Sequence, residues 1–183
     1  MTTSLRLLPI LALAFAAHAV AQDTPAPAPP QARMTATECE VWARELSFAK
    51  SVADHDAAAF AEHLHPDAAF GVERAVPTRG RETISAQWAG LVEGKALALR
   101  WYPTRTTIGG VGNIAASSGP ALYEDLAPDT KQRYSMSSFH SVWHKGDDGI
   151  WRVLFDDGTA PQPVTENEAE AFKAARQTAC PRA

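Results

Sequence analysis

Two histidines on one strand-like segment are the first residues to consider for chemistry. His140 and His144 are four residues apart in an alternating run, so their side chains lie on the same side of a strand as that of Tyr134. His140 could form a zinc site with His63 or His65 and a carboxylate. The sequence has no local metal-binding signature such as H-E-x-x-H. We therefore expect no metal and interpret these histidines as partly exposed residues.

A glycine-rich segment at 110–115 matches the dinucleotide fingerprint G-x-G-x-x-A. That fingerprint requires a helix N-terminus directed at the pyrophosphate of the nucleotide. The residues that follow, 116–120, read Ala-Ser-Ser-Gly-Pro and cannot sustain a helix. We interpret the segment as a hairpin turn and predict no cofactor.

The beginning of the chain has the features of a secretion signal. A basic residue precedes an apolar run at 7–17, and the small-residue motif Ala-Val-Ala at 19–21 predicts cleavage after residue 21. The run is shorter than the roughly 20 residues that span a membrane. We therefore expect a secreted protein, located in the periplasm, without a membrane span after cleavage. In such a chain Cys39 and Cys180 are predicted to form a disulfide, the alternative being two free thiols.

Composition limits the number of domains and the classes of partner. The chain of 183 residues carries a net charge of −4, which argues against binding to nucleic acid or to an anionic membrane. This length suits one hydrophobic core. We predict a signal peptide at 1–21, a proline- and alanine-rich linker at 22–36, one domain at 37–160, and a C-terminal helix and tail at 161–183.

Capping signals and apolar periodicity predict three helices in the first half of the domain. The first begins at the capping box 37–40, the second follows Asp56 and ends at Pro66, and the third lies between Gly80 and Gly94.

Alternating apolar residues then predict an antiparallel sheet. A short strand at 68–73 precedes the third helix, and an alternating run at 97–108 and a strand at 114–123 follow it. A long hairpin turns at 146–149, and the capping box 165–168 starts a final helix.

This order of elements, with several short motifs, resembles the nuclear transport factor 2-like superfamily, which includes ketosteroid isomerases, scytalone dehydratase and polyketide cyclases. The matching motifs are Asp-Ala-Ala-Ala-Phe at 56–60, Pro-Asp-Ala-Ala-Phe at 66–70, Gly-Arg-Glu-Thr-Ile at 80–84, Trp-Tyr-Pro at 101–103, Ser-Gly-Pro at 118–120, Val-Trp at 142–143 and Trp-Arg-Val at 151–153. The similarity is greatest to a branch of small, often secreted bacterial domains of unknown function. It implies an α+β fold in which three N-terminal helices pack on a curved, mixed and mainly antiparallel sheet, forming a cone with a central pocket. The C-terminal helix lies outside the shared pattern.

The resemblance also implies an apolar pocket with one titratable base and one or two hydrogen-bond donors. The candidates in this sequence are His140 as base, Asp156 as a second acid or an orienting group, and Tyr123 and Tyr134 as donors. Such a pocket raises the pKa of a carboxyl group or holds a neutral histidine near the working pH. The residues predicted to form an apolar wall are Trp42, Trp88 and Trp101. Strand alternation alone does not distinguish the inner from the outer face.

The sequence departs from the isomerases at two positions. Those enzymes carry a base carboxylate on the first strand, where this chain has the segment 70–73 with Glu73 out of register. Their oxyanion-binding tyrosine lies on the first helix, where this chain has Trp42 and Phe48 but no tyrosine. The isomerase mechanism therefore does not transfer.

Three functions follow, in decreasing order of support. The first is binding of a small hydrophobic molecule or a partner in the pocket, without a recognised catalytic set. The second is a cofactor-free isomerase, dehydratase or cyclase that uses general acid–base catalysis. The third is a structural homodimer whose sheets pair through Phe139, Trp143 and Phe155.

Overall fold

A computed structural model describes residues 33–182 of the chain. The predicted signal peptide at 1–21 and the linker as far as residue 32 lie outside the described residues. Within residues 33–182 the chain forms four helices and eight strands, which confirms the predicted α+β class. No helix in this part of the chain is long and apolar enough to cross a membrane.

Three helices cover one face of the sheet: α1 (Ala36–Ala53), α2 (Ala57–His63) and α3 (Arg81–Glu93). The capping box of α1 uses Thr35 and Glu38, two residues before the predicted box, and its side chain–backbone bonds run in both directions. Asp56 caps α2 as predicted. Gly94 ends α3 in the left-handed conformation (φ 62°), which glycine adopts without steric cost.

The strands are β1 (Leu64–Phe70), β2 (Thr78–Arg79), β3 (Leu97–Trp101), β4 (Arg105–Ile108), β5 (Ile114–Asp125), β6 (Tyr134–Lys145), β7 (Trp151–Gly158) and β8 (Gln162–Val164). They form one sheet in the order β2-β1-β7-β6-β5-β3, with β4 also paired to β5 and β8 to β6. The β1–β7 pairing is parallel and the other pairings are antiparallel. The predicted run 97–108 is therefore two strands. The short strands β2 and β8 were not predicted.

A β-bulge in β7 changes which side chains face the helices. Val142 pairs with Phe155 and Trp143 pairs with Val153, so Leu154 has no partner on β6. An extra residue in one strand reverses the alternation beyond it. Trp151 and Val153 are buried, whereas Phe155 is 40 % exposed. Beyond the bulge the next inward residue is Asp156.

The core between the helices and the sheet is rich in aromatic rings. Phe48 of α1 lies at its centre, with ring centroids 5.2 Å from those of Phe60 and Trp101 and 6.1 Å from that of Trp143. Stacked and edge-to-face pairs at these distances stabilise a core beyond their buried area. These rings fix the position of α1 over the centre of the sheet.

The last helix, α4 (Glu166–Ala174), packs on the other face of β5. Its predicted capping box, Thr165 with Glu168, is confirmed. Phe172 of α4 lies against Tyr102 and, with Ala169, against Leu122. Leu122 faces α4, whereas its strand neighbours Ala121 and Tyr123 face the core beneath the first three helices.

A disulfide joins the first turn of α1 to the C-terminal tail. Cys39 and Cys180 are bonded, with their Cα atoms 5.6 Å apart, as the sequence predicts. Met34 and Trp42 pack with these cysteines in a small apolar cluster. The bond anchors the tail beyond α4, a segment that contributes little else to the core.

Candidate functional site

A cavity of about 630 Å³ lies between α1, α3 and the inner face of the sheet. Aromatic side chains from five different elements form much of its wall: Phe48, Phe70, Trp88, Trp101 and Phe139. The segments 71–74 and 157–161 lie around it and supply three of its four charged residues. The cavity therefore combines an apolar wall with a polar region.

Asp156 supplies a carboxyl group to the cavity wall. The bulge at Leu154 turns its side chain inward, and Ser141, its cross-strand partner, donates a hydrogen bond from Oγ to Oδ2 at 2.7 Å. Burial raises the pKa of Asp156 to about 8, helped by the charges of Glu45 and Asp157 and opposed by the Ser141 hydrogen bond. At neutral pH this carboxyl group is therefore mainly protonated and can donate a hydrogen bond to a ligand.

A second carboxyl group, that of Glu45, is buried beneath the cavity. Glu45 lies in the middle of α1 and is 0 % exposed. Its Oε1 accepts a hydrogen bond from Trp101 Nε1 at 2.7 Å, and its Oε2 accepts one from Trp143 Nε1 at 2.8 Å. Burial raises the pKa of Glu45, and these two indole donors with the hydroxyls of Ser117 and Ser141 oppose the rise. Ser117 Oγ lies close to Glu45 but makes no hydrogen bond of good geometry.

The polar region of the cavity carries both signs of charge. Glu73, Arg74 and Asp157 line it, and Asp157 Oδ2 accepts a hydrogen bond from the backbone N–H of Glu73 at 2.6 Å. Gly71 has a φ of 67°, and a Cβ there would come within 2.8 Å of the Arg74 side chain. Arg74 therefore lies close over Gly71. Glu73 follows the end of β1 at Phe70 and is exposed.

Four of the predicted site residues line this cavity: Trp88, Trp101, Tyr123 and Asp156. They come from α3, β3, β5 and β7, so the fold brings together residues that are distant in sequence. Trp88 stacks on Phe60 with ring centroids 5.3 Å apart, which holds its indole against the cavity.

Three predicted site residues lie outside it. His140 is exposed, because its neighbours Phe139 and Ser141 occupy the inner face of β6 and alternation places His140 on the outer face. Tyr134 packs beneath α4, with Lys173 Nζ 5.3 Å from its ring centroid. Trp42 packs with the disulfide. The structure therefore separates the proposed base His140 from Asp156.

Outside the cavity also lie the other histidines singled out in the sequence, His63, His65 and His144. His63 is buried, its Nδ1 is 2.6 Å from the carbonyl oxygen of Ala59, and its Nε2 is 3.0 Å from Ser47 Oγ. Burial lowers the pKa of His63 to about 4, which keeps it neutral at pH 7. The rings of His65 and His144 are 5.4 Å apart. Among the described residues, no three His, Cys, Asp or Glu side chains are grouped closely enough to hold a metal ion.

Glu45 is the buried carboxyl residue beneath the cavity that the sequence did not lead us to predict. A signal was present, because Val41, Glu45, Phe48 and Val52 follow helical spacing on the apolar face of α1. An acidic residue within such an apolar stripe is a candidate for a buried, hydrogen-bonded carboxyl group. Its indole partners come from distant strands and could not be read from α1 alone.

The sequence matches the family of SnoaL-like domains over residues 46–153, more than half of the chain. The chain belongs to this family. Glu45 and Asp156 lie just outside the two ends of the matched segment of this SnoaL-like domain. No curated protein matches the chain in sequence.

Solved structures named as nuclear transport factor 2-like proteins or as a ketosteroid isomerase share the fold of this SnoaL-like domain. A protein of unknown function from Pseudomonas putida KT2440 is 15% identical with a TM-score of 0.57, covering 74% of this chain and 98% of its own. A putative ketosteroid isomerase from Shewanella frigidimarina is 16% identical with a TM-score of 0.55, covering 68% and 98%. A protein from Novosphingobium aromaticivorans is 18% identical with a TM-score of 0.55, covering 75% and 87%. At these identities the comparison supports the fold, as the sequence predicted, and no shared activity.

Proposed function

We propose that this SnoaL-like domain binds a small molecule in the cavity, with its apolar part against the aromatic wall and an oxygen acceptor facing Asp156. The observation that carries the proposal is a protonated carboxyl group, that of Asp156, beside the aromatic part of the cavity wall. Ligand pockets are typically about 300–1,000 Å³, lined by apolar side chains with a few polar groups that fix orientation. A cavity of about 630 Å³ fits this description.

The chemistry of Asp156 narrows the ligand class. A neutral carboxyl group both donates and accepts hydrogen bonds, whereas a carboxylate only accepts them. Near pH 7 a ketone, ester or amide oxygen can therefore accept a hydrogen bond from Asp156. The indole rings of Trp88 and Trp101 favour a flat or aromatic ligand body by stacking.

Native mass spectrometry of the protein purified from its own periplasm tests this proposal. We expect a co-purified neutral compound that is released on denaturation and contains an apolar ring and a carbonyl or hydroxyl oxygen. The matched variant Trp88→Ala, which opens the cavity wall, should lose the compound, whereas Trp151→Phe, outside the cavity, should retain it. Equal retention by both variants would place the ligand elsewhere.

Acid–base catalysis at Asp156 is the second candidate. The supporting observation is its pKa of about 8, near the value that best suits proton transfer at neutral pH. Tyr123 lies on the same cavity wall and can donate a hydrogen bond to a developing oxyanion. This set replaces His140 as the base, and isomerase, dehydratase and cyclase chemistry all remain compatible with it.

Turnover of the co-purified compound tests the second candidate. Asp156→Asn keeps a hydrogen-bonding side chain but cannot transfer a proton, so it should bind the compound and lose turnover by about 100-fold or more. Asp129→Asn, which changes an exposed aspartate outside the cavity, is the control and should retain the activity. Full turnover in Asp156→Asn would exclude this role.

We also propose that the domain works in an oxidising compartment, as the predicted signal peptide requires. The Cys39–Cys180 disulfide supports this location because such bonds persist mainly outside the reducing cytosol. Cell fractionation combined with the intact mass of the mature protein tests it. Cleavage after residue 21 and recovery in the periplasmic fraction are expected. Recovery of the uncleaved chain from the cytosol would contradict it.

A homodimer stays a prediction, with a smaller surface than the sequence suggested. Phe139 and Trp143 are 8 % and 0 % exposed and face the core, so only Phe155 of the three predicted interface residues is available. Light scattering during size-exclusion chromatography measures the mass. A dimer that becomes monomeric in Phe155→Ser would support pairing through this outer face, and a monomeric wild-type protein would remove the idea.

A further inference from the structure

We propose that Glu45 is a positioning residue for the cavity: from beneath its wall it fixes the indole ring of Trp101 and, through neighbouring inner-face residues of β6, influences the carboxyl group of Asp156. This inference rests on the proposed function because it assigns a role to Asp156 in the cavity. The residue itself does not line the cavity and would not touch a ligand.

The first step is the bond between Glu45 and the cavity wall. Trp101 lines the cavity, and its Nε1 donates to Glu45 Oε1 at 2.7 Å. Trp143 donates to the other oxygen at 2.8 Å from the adjacent part of the sheet. A carboxyl group held at both oxygens has little freedom to rotate, so both indole rings keep a fixed orientation. The shape of the aromatic wall therefore depends on a group outside the cavity.

The second step is the path from Glu45 to Asp156. Ser141 is 1 % exposed, and its Oγ donates to Asp156 Oδ2 at 2.7 Å. Trp143 lies two residues further along the inner face of β6 and donates to Glu45 Oε2, so the two carboxyl groups bind neighbouring side chains of one strand. Changing the Glu45 carboxyl group therefore alters the surroundings of Asp156 through adjacent inner-face residues of β6.

Glu45 and Asp156 also interact through their charges. The charged groups near Asp156 are Glu45 from α1 and Asp157 on the same strand, and the other charged residues that line its cavity are Glu73 and Arg74 from the segment after β1. Of these Glu45 is fully buried, so its charge is screened least by water. Two buried carboxyl groups disfavour simultaneous ionisation, and their titrations belong to the pair.

Carboxyl ¹³C NMR on protein labelled at Asp Cγ tests the inference without requiring a ligand. The Asp156 signal is identified by its absence in Asp156→Asn. In wild-type protein it should titrate well above an ordinary aspartate. In Glu45→Gln, which preserves the shape of the side chain but removes the charge, its midpoint should fall.

Glu40→Gln is the matched control. Glu40 also lies on α1 and also accepts an indole hydrogen bond, from Trp151 Nε1 at 3.2 Å, but it is outside the cavity. Its substitution should leave the Asp156 midpoint unchanged. An unchanged midpoint in Glu45→Gln, or an equal fall in both variants, would overturn the inference.

A measurement on labelled wild-type and Asp156→Asn protein covers the case in which Glu45→Gln does not fold. Coupling free energies are reciprocal, so the Glu45 Cδ signal should titrate at lower pH in Asp156→Asn than in wild-type protein. A Glu45 titration that is the same in both would overturn the inference. Both titrations are measured without a ligand and do not depend on the co-purification experiment. The role of Glu45 can therefore be contradicted while ligand binding is supported, and ligand binding can be contradicted while the role of Glu45 is supported.

Discussion

Two glutamates on α1, only five residues apart, accept indole hydrogen bonds in opposite environments. Glu45 accepts from Trp101 and Trp143 and is fully buried. The side chain of Glu40 is 52% exposed and accepts from Trp151 and from Lys145 Nζ, the latter at 3.0 Å. The Lys145 and Trp151 hydrogen bonds lower the pKa of Glu40, whereas burial raises the pKa of Glu45 despite its two indole donors.

The comparison shows that burial, more than the number of donors, sets the charge state of these carboxyl groups. Neutral N–H donors favour the carboxylate in both places, but only Glu40 keeps contact with water and a cation. At the buried position the cost of removing a charge from water exceeds the gain from two hydrogen bonds. The same reasoning applies to Asp156, whose single Ser141 bond does not offset its burial.

Breaking the disulfide should have the largest effect on stability and should leave the titration of the buried carboxyl groups unchanged. Cys39 and Cys180 are 141 residues apart, and closing such a long loop stabilises a fold by up to about 4–5 kcal/mol on the chain-entropy model. We expect a loss of about 3–5 kcal/mol in the Cys39→Ala/Cys180→Ala variant, measured by urea denaturation. Its Asp156 NMR midpoint should match the wild-type value, because the bond lies at the Glu40 end of α1. A shifted midpoint would show that the two ends of the helix are not independent.

Removing each glutamate compares the two sites directly. Glu45→Ala leaves two buried indole N–H groups without an acceptor and opens a void, so the free energy of unfolding should fall by about 2–4 kcal/mol. Glu40→Ala should cost less than about 1 kcal/mol because its ion pair is exposed. Thermal and urea denaturation at pH 7 measure both. Equal losses would contradict the assigned environments.

The pH dependence of stability distinguishes the buried carboxyl group of Asp156 from the exposed one of Glu40. The folded pKa of Asp156, about 8, exceeds its ordinary value of 3.8, so the folded state holds a proton that the unfolded state has released. Stability from this group is present at low pH and is lost as pH rises towards 8. His63 has a folded pKa of about 4, below its ordinary value of 6.5. Stability from this group therefore increases as pH rises and is fully present above about pH 6.5.

Between pH 6.5 and 8 we therefore expect wild-type stability to fall, by at most about 1.4 kcal/mol per pH unit for one proton. Asp156→Asn should flatten this slope, while Glu40→Gln should preserve it because Glu40 titrates below this window. Urea midpoints at several pH values give the slopes. A slope that persists unchanged in Asp156→Asn would assign the proton to another group.

The smallest expected effect belongs to the exposed pair itself. A double-mutant cycle of Glu40→Gln and Lys145→Met should give a coupling of about 0.2–1 kcal/mol that decreases with salt. Coupling above about 2 kcal/mol would mean that Glu40 is less exposed in solution than the structure shows.

The sequence predicted the elements of this fold better than the direction of its side chains. Asp56, Gly80, Gly94 and the 146–149 turn marked boundaries through local backbone chemistry, which one segment carries by itself. The bulge at Leu154 depends on how β7 pairs with β6, and local alternation could not reveal it. Strict alternation from Trp151 and Val153 would have placed Phe155 inside and Asp156 outside.

The residues that line the cavity were predicted only in part, for the same reason. Trp88 and Trp101 lie on apolar faces that periodicity identifies, and both line the cavity. His140 has a suitable chemistry and lies on the opposite face of its strand. Glu45 interrupts an apolar stripe, but its role depends on indole groups 56 and 98 residues away in sequence.

The most direct test of the central claim uses the five tryptophan indole N–H signals as position markers. We would titrate ¹⁵N-tryptophan-labelled protein at pH 6.5 with acetophenone, a neutral aromatic ketone, and with ethylbenzene, which lacks the carbonyl oxygen. We expect acetophenone to bind more tightly, by roughly tenfold, and to shift the Trp88 and Trp101 signals while those of Trp42 and Trp151 stay in place. The preference for the ketone should disappear in Asp156→Ala. Equal affinity for the two compounds, or shifts confined to Trp42 and Trp151, would contradict a cavity in which protonated Asp156 selects an oxygen acceptor.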